Sequence, residues 1–444
     1  MQNLIALSLA FASVTTAADL AGVVVKFEKP LGSATLAAEL IEKFKLRIDV
    51  AGTTEPIMLR VELPGSGSNT WPMNDVEVRD AAGHALLVQR SGIEWEKLLI
   101  PLPSSVTSCT VQAVEPLIAQ VKTTAPKERE IKDTTSGLHV RLANWPEGRT
   151  AALSLRFDDS HPTHLSKAIP ILREFGFKGT FMVNPGPKEP GMRQSYSFET
   201  QHAEWAAVMK QGDMELANHS AHHRGAEGDE DMEREIGGAA EAIWKLRPGK
   251  SKLMALNLGG GTRWATTRTL RYYLDKYHQF DAASGSLGMD DSYGGRVEAF
   301  RKALATHLDR GLWCRIHFHY IGDGLSSSEA NFRAALDIAK QNQDKLWIAS
   351  MADIHKYQAE RNSARITLLK SDAKSLTFEL ECATNETLFD QPLTLEIIPP
   401  EGAKAASIVI RDESAQPIST TTSASGLRCS VPPRKCIYSL SVAP

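Results

Sequence analysis

The chain has almost no net charge and, past its first residues, no long apolar run. Lys and Arg total 50 against 53 Asp and Glu, which leaves −3 over 444 residues. Electrostatics therefore gives no reason to expect nucleic acid or an anionic membrane as a partner. No later segment approaches the roughly 20 apolar residues of a membrane span, so no membrane span is expected. Cysteine is scarce and odd in number: Cys109, Cys314, Cys382, Cys429 and Cys436 leave at least one thiol free or paired outside the chain. Cys429 and Cys436 flank the turn-like Pro432-Pro433-Arg434-Lys435 and are candidates for a cross-hairpin pair or for two buried thiols. No internal repeat relates one part of the chain to another. What is present, 42% hydrophobic and 23% charged residues, is the balance of a globular protein. The length exceeds one ordinary core and is read as three domains.

The N-terminus, MQNLIALSLAFASVTTAADLAG, sets an apolar run at 4–14 before small residues at 15–18. That is the pattern of an export signal removed near residue 18, although no Lys or Arg precedes the run. The expected location is periplasmic, cell-surface or secreted. Over 19–120, short alternating segments broken by Gly, Pro, Ser and Asn predict a small β-sandwich. Its Trp71 and Trp95 are either core or sugar-stacking residues. The polar, aperiodic text around 121–144 reads as a linker. From 145 to 361 strands alternate with helices: 151–157, 179–183, 214–217, 252–256, 280–283, 312–318 and 345–349 have strand character, and 229–246 repeats apolar residues at helical spacing behind an acidic first turn. Strands joined by helical crossovers make a parallel sheet, and seven units suit a distorted (β/α) barrel. Strand periodicity returns over 362–444, a second small β-sandwich. The fold class is thus α/β, a barrel of about seven strands flanked by two β-sandwich domains.

Ionisable residues gather where these parallel strands end. Asp158 and Asp159 follow 151–157, His219 follows 214–217 with His223 four residues on, and His317 and His319 close 312–318. In α/β barrels the chemistry sits at the C-terminal ends of strands. Hydrolysis of an amide or ester needs an activated water, a charge for the oxyanion, and an acid for the leaving group. A divalent metal on three protein ligands with an open position meets the first two needs. If His219 opens a helical turn, its ring and that of His223 leave one face and can share an ion. Asp159 is the natural third ligand, and Asp158 can turn the other way as general base. His222, three residues from His219, also shares a helical face. His161 and His164 look like residues of a helix N-terminus or of the rim.

Phe157-Asp158-Asp159 after an apolar strand, followed by Asn218-His219-Ser220-Ala221-His222-His223, resembles the first two motifs of the polysaccharide deacetylases, Phe-Asp-Asp-Gly and His-Ser/Thr-x-x-His. The intervening LREFGFKGTFMVNP is similar to that family too, and the resemblance covers roughly 145–361. It implies a metal-dependent hydrolase that removes acetyl groups from a carbohydrate polymer. Asp158 would be the base, Asp159, His219 and His223 the metal ligands, and a histidine after a late strand the acid. His319 is preferred to His317 because it stands at the strand end before a turn. Zinc suits two imidazoles and a carboxylate, while Co2+, Ni2+ and Mn2+ fit the same ligands.

The sequence departs from the family at several points. Ser160 replaces the usual Gly. The third motif, an Arg-Pro-rich loop whose arginine orients the base, is missing from 255–264, which reads ALNLGGGTRW. Gly260 is the candidate there for an oxyanion N–H, and Arg263 for the missing arginine. The nearest fourth motif is Asp290-Asp291-Ser292-Tyr293. The expected partner is an acetylated polysaccharide or oligosaccharide, recognised by a groove that loops such as 184–198 and 289–295 shape. Two rivals stand beside this reading. A non-haem iron triad is usually carried as HxD on a β-sandwich, whereas here the Asp comes first on a β/α scaffold. A degenerate barrel that binds polysaccharide without turnover is the other.

Overall fold

The computed structural model describes residues 20–32, 34–114, 128–189, 197–283, 285–322 and 326–442. The export signal expected at 1–18 lies outside them, as do parts of the linker, of the loop 184–198 and of the turn after His319.

The chain divides into two compact units, one of 119–219, 241–256 and 278–444, the other of 1–118, 220–240 and 257–277. The first is built on a parallel sheet: β1 Ala151–Phe157, β2 Thr180–Val183, β3 Glu215–Asn218, β4 Met254–Leu256, β5 Gln279–Asp281, β6 Leu287–Gly288, β7 Trp313–Phe318 and β8 Leu346–Ile348. Their spatial order is β5-β4-β3-β2-β1-β7-β6, and β8 pairs with the start of β1. Each of the seven expected strands is found within two residues of its expected place. The eighth, β6, is too short to carry a periodic signal. The sheet curls without closing, since β5 and β6 end the path unpaired with each other. β1 to β4 are buried along their whole length, as parallel strands covered on both faces must be. Phe157 stacks between Phe181 and Phe318, at 4.8 and 5.3 Å between ring centroids.

The C-terminal β-sandwich belongs to the same unit. One sheet pairs Ala364–Asp372, Ser375–Cys382, Cys436–Val442 and Ile408–Arg411; the other contains Leu393–Ile398 and Gly426–Val431. Its core takes in Trp145, Ala152 of β1, Ile354 and Tyr357 as well as its own strands. Within the stretch expected as a linker, Glu130–Lys132 and His139–Leu142 are strands of the second sheet, and the latter pairs with Leu393–Ile398. Leu138, Val140 and Leu142 alternate inward there, with Ile131 on the neighbouring strand, a pattern too short to be set apart from the polar text before it. All five cysteines are unpaired. Cys429 and Cys436 lie buried on strands of different sheets, so they form no cross-hairpin bridge.

The second unit holds the N-terminal β-sandwich. Its smaller sheet pairs Thr35–Glu42, Lys45–Ala51, Ser108–Ala113 and Val76–Asp80; its larger one runs Val24–Phe27, Ile57–Glu62, Lys97–Leu102 and Val88–Ser91. Burial alternates along Ile57–Glu62 and Lys97–Leu102, the signature of one face on a core. Trp71 is 4% exposed and packs edge-on against Phe44, which makes it core and not a sugar platform. The larger sheet continues through Arg263–Thr266, paired antiparallel with Val88–Ser91, to Ala226–Glu227. Two segments of 145–361 thus group with the N-terminal strands. The close approach requires glycine at Gly92, where a Cβ would stand 1.9 Å from the Gly259 carbonyl oxygen. Among the described residues no helix is long and apolar enough to cross a membrane.

Candidate active site

β1 carries a charge inside its apolar run. The Arg156 guanidinium donates from Nη2 to Asp158 Oδ2 at 3.0 Å and from Nη1 to the Ala282 carbonyl at 2.8 Å. Two residues apart on an extended chain, Arg156 and Asp158 leave the same face, and both side chains are almost wholly buried. Burial would raise the Asp158 carboxyl, but Arg156, His219, His317 and His319 hold it below its usual value. The group is ionised and can accept a proton. Past the strand the backbone turns left-handed at Asp159 (φ 79°) and Ser160 (φ 51°), where glycine would be least strained. Ser160 is fixed there because its Oγ accepts the Asn184 N–H at 2.7 Å.

β3 delivers His219. Its N–H reaches the Val183 carbonyl, and its own carbonyl accepts from Asn184 Nδ2 at 2.6 Å. The ring then faces Asp159, with Nε2 3.2 Å from Oδ1. The expected helical turn does not form, because Ser220 (φ 64°) and His223 (φ 52°) take left-handed backbone. The resulting loop is tied by the His223 N–H to Ser220 Oγ at 2.9 Å. His222 is drawn elsewhere: its Nδ1 is 2.7 Å from Glu235 Oε1 and its N–H donates to Oε2 at 2.9 Å. Glu235 lies on a π-helical turn, Glu233–Gly238, inside the helical run expected at 229–246. Asp159, His219 and His223 each present one ligand atom, and these atoms all lie within 4.8 Å of one another. Two imidazoles and a carboxylate at that separation fit a divalent metal with a position left open.

The two late histidines differ in setting. His317 Nδ1 is 3.1 Å from Ser286 Oγ, and burial, reinforced by Arg156, pushes its ring down to about 4. His319 places Nδ1 2.6 Å from Asp290 Oδ2, and its backbone N–H meets Oδ1 of the same carboxylate. Burial works to lower His319 too, but the bond to Asp290 and the charge of Asp158 raise it overall. Asp290 belongs to the segment nearest in sequence to a fourth motif. His164, at the start of the helical segment after β1, is buried with Nε2 2.5 Å from the His319 carbonyl oxygen. His161 stacks on Tyr320 at 3.8 Å.

Gly260 and Arg263 are exposed, Arg263 on the strand paired with Val88–Ser91. The glycine that touches a candidate ligand is Gly259, where a Cβ would stand 2.2 Å from His223 Nε2. Sequence reasoning missed three partners: Arg156, Glu235, and Tyr320, whose hydroxyl is 3.5 Å from Asp159 Oδ2. For Arg156 a signal exists, an arginine at even spacing from the Asp in an otherwise apolar strand. The other two partners leave none.

Ionisable groups thus gather at the C-terminal ends of parallel strands in an α/β fold. Residues 145–274, which hold both motifs, match the family model described as polysaccharide deacetylase. A gellan lyase from Bacillus sp is 22% identical over 295 residues, 58% of this chain and 11% of that protein. The chain therefore aligns with about a ninth of that relative's length. Among solved structures, a family 4 carbohydrate esterase from Streptomyces lividans in complex with acetate is 20% identical, covering 45% of this chain and 92% of its own, at a TM-score of 0.33. The peptidoglycan deacetylase PdaC from Bacillus subtilis is 15% identical, with 48% and 94% covered, at a TM-score of 0.32.

Proposed function

We propose that the protein is a metal-dependent hydrolase that removes acetyl groups from a carbohydrate polymer. The observation that carries this reading is the meeting of Asp159, His219 and His223 beside a carboxylate, Asp158, held ionised by its own strand. A divalent metal there, zinc by the donor set with Co2+, Ni2+ or Mn2+ fitting the same ligands, would acidify water and polarise the acetyl carbonyl. Asp158 takes the proton from the attacking water. Arg156 fixes the orientation of that carboxylate and keeps it charged. His319, held protonated by Asp290, gives its proton to the departing nitrogen or oxygen. His317, pushed down to about 4 by burial, is neutral near pH 7 and is not charged to give up a proton. Water attacks directly, so no covalent enzyme intermediate is expected.

The substrate we propose is an acetylated polysaccharide or oligosaccharide. The test is acetate release from a panel of N- and O-acetylated sugar polymers, beside Asp158→Asn and His319→Ala. Loss of release in both variants with metal content unchanged supports the assignment. Full activity in either one removes that residue from the mechanism.

A further inference from the structure

A cavity of about 560 Å³ in the unit of the parallel sheet and C-terminal sandwich shares no residue with the candidate active site. Five arginines, Arg129, Arg141, Arg149, Arg361 and Arg428, line it against two glutamates, an excess of three positive charges. The glutamates are already committed. Arg141 grips Glu396 Oε2 through Nε and Nη2 at 2.8 and 2.7 Å, and Arg428 Nε donates to Oε1 at 2.9 Å. Glu130 pairs with Lys132 and His139. Arg149 Nη2 donates to Glu147 Oε2 at 2.9 Å, which leaves two of the five guanidinium groups without a carboxylate among the described residues. Arg361 bonds only neutral oxygens, those of Ala143 and Asn144. Arg129 has its Nε buried with no hydrogen-bond partner among the described residues. Burial, then the like charge of Arg129, lowers the Arg361 guanidinium below its ordinary range, which marks the cluster as short of negative charge.

We propose that this cavity binds an acidic saccharide whose carboxylate is held by Arg129 and Arg361. Guanidinium forks match a carboxylate in geometry and bond it about twice as strongly as neutral donors do. The volume lies in the range of small-molecule sites, roughly 300–1,000 Å³, and exceeds what a bare ion fills. The lining offers the Asn144 amide, the Ser425 hydroxyl and backbone carbonyls to sugar hydroxyls, and it contains no aromatic ring. A hydroxylated body suits it better than a flat apolar one. The site stands apart from turnover at the proposed centre and shares with that reading only the kind of ligand.

The test is calorimetric titration of the whole protein with trigalacturonate, with neutral xylotriose, and with inorganic phosphate, at low and raised salt. Trigalacturonate is expected to bind, more weakly as salt rises, with at least a tenfold loss in Arg129→Ala; xylotriose should give no heat. Arg129 serves the fold through its backbone carbonyl, which accepts the Leu142 N–H at 2.9 Å and survives the substitution, and unchanged thermal unfolding of the variant would show that the fold is kept. Absence of trigalacturonate binding, or undiminished binding by Arg129→Ala, overturns the proposal. Phosphate binding as tightly as trigalacturonate overturns its saccharide part. Acetate release is not read, so failure here and failure of the deacetylase reading remain separate results.

Discussion

Asp158 obtains its counter-charge from its own strand, two residues back, and the proposed chemistry depends on that pair. Replacing Arg156 by Met should leave Asp158 buried without a partner, an arrangement that costs roughly 3–5 kcal/mol when one half of a buried pair is removed. Acetate release is expected to fall on the order of 10²-fold, in kcat more than KM, while metal content stays unchanged; a variant of wild-type activity would show that Arg156 does not position the base. His319 supplies a pH test. Its raised value keeps it protonated further up the pH scale, so activity should be lost as pH rises through its titration in the folded enzyme. Asp290→Asn removes the hydrogen bond that raises it. The alkaline limb of the kcat profile should move to lower pH, and an unmoved limb would exclude His319 as the acid.

At the scale of elements, glycine and burial decide two further outcomes. Gly259 has left-handed backbone (φ 82°) and presses on the His223 ring. Gly259→Ala should displace that ring and weaken metal retention about tenfold or more, read by dialysis against a chelator; full retention would mean that His223 is not a ligand. On the helix Met351–Ser363, Glu360 is buried with Oε2 unbonded among the described residues, and burial pushes its carboxyl up to about 9. The unfolded chain ionises near roughly 4.3. The stability this group contributes is therefore present in full below that value and lost as pH rises toward about 9. Glu360→Gln should unfold at a higher temperature than wild type at pH 8.5, and the difference should shrink at pH 5. Equal melting at both values would mean that Glu360 does not titrate in this way. β1, β2 and β4 were legible because each is a buried, mainly apolar run followed by polar residues. The loop 219–223 was not, since positive φ at Ser220 and His223 leaves no mark in residue types that also suit a helix.

For the whole molecule, the missing third motif has a structural reason. Residues 257–277, where an Arg-Pro-rich loop would come, group with the N-terminal strands, and Arg263–Thr266 extends their sheet. That stretch is spent on strand pairing, while an arginine from β1 meets the base. The first of these facts was not readable in advance. Pairing between Val88–Ser91 and Arg263–Thr266 joins segments far apart in the chain, and periodicity says nothing of which strands meet. What was readable is the set of residues at the strand ends, because the alternation of strands and helices predicts where the C-terminal ends must gather.

The most direct measurement is the metal content of the purified protein beside Asp159→Ala and His219→Ala, with acetate release from an acetylated-sugar panel assayed before and after chelation. About one metal per chain in the wild type, lost in both variants, with acetate release abolished by chelator and restored by metal, is the expected result. A protein that retains no metal after reconstitution, or variants that bind it as well as wild type, would show that Asp159, His219 and His223 do not form the centre.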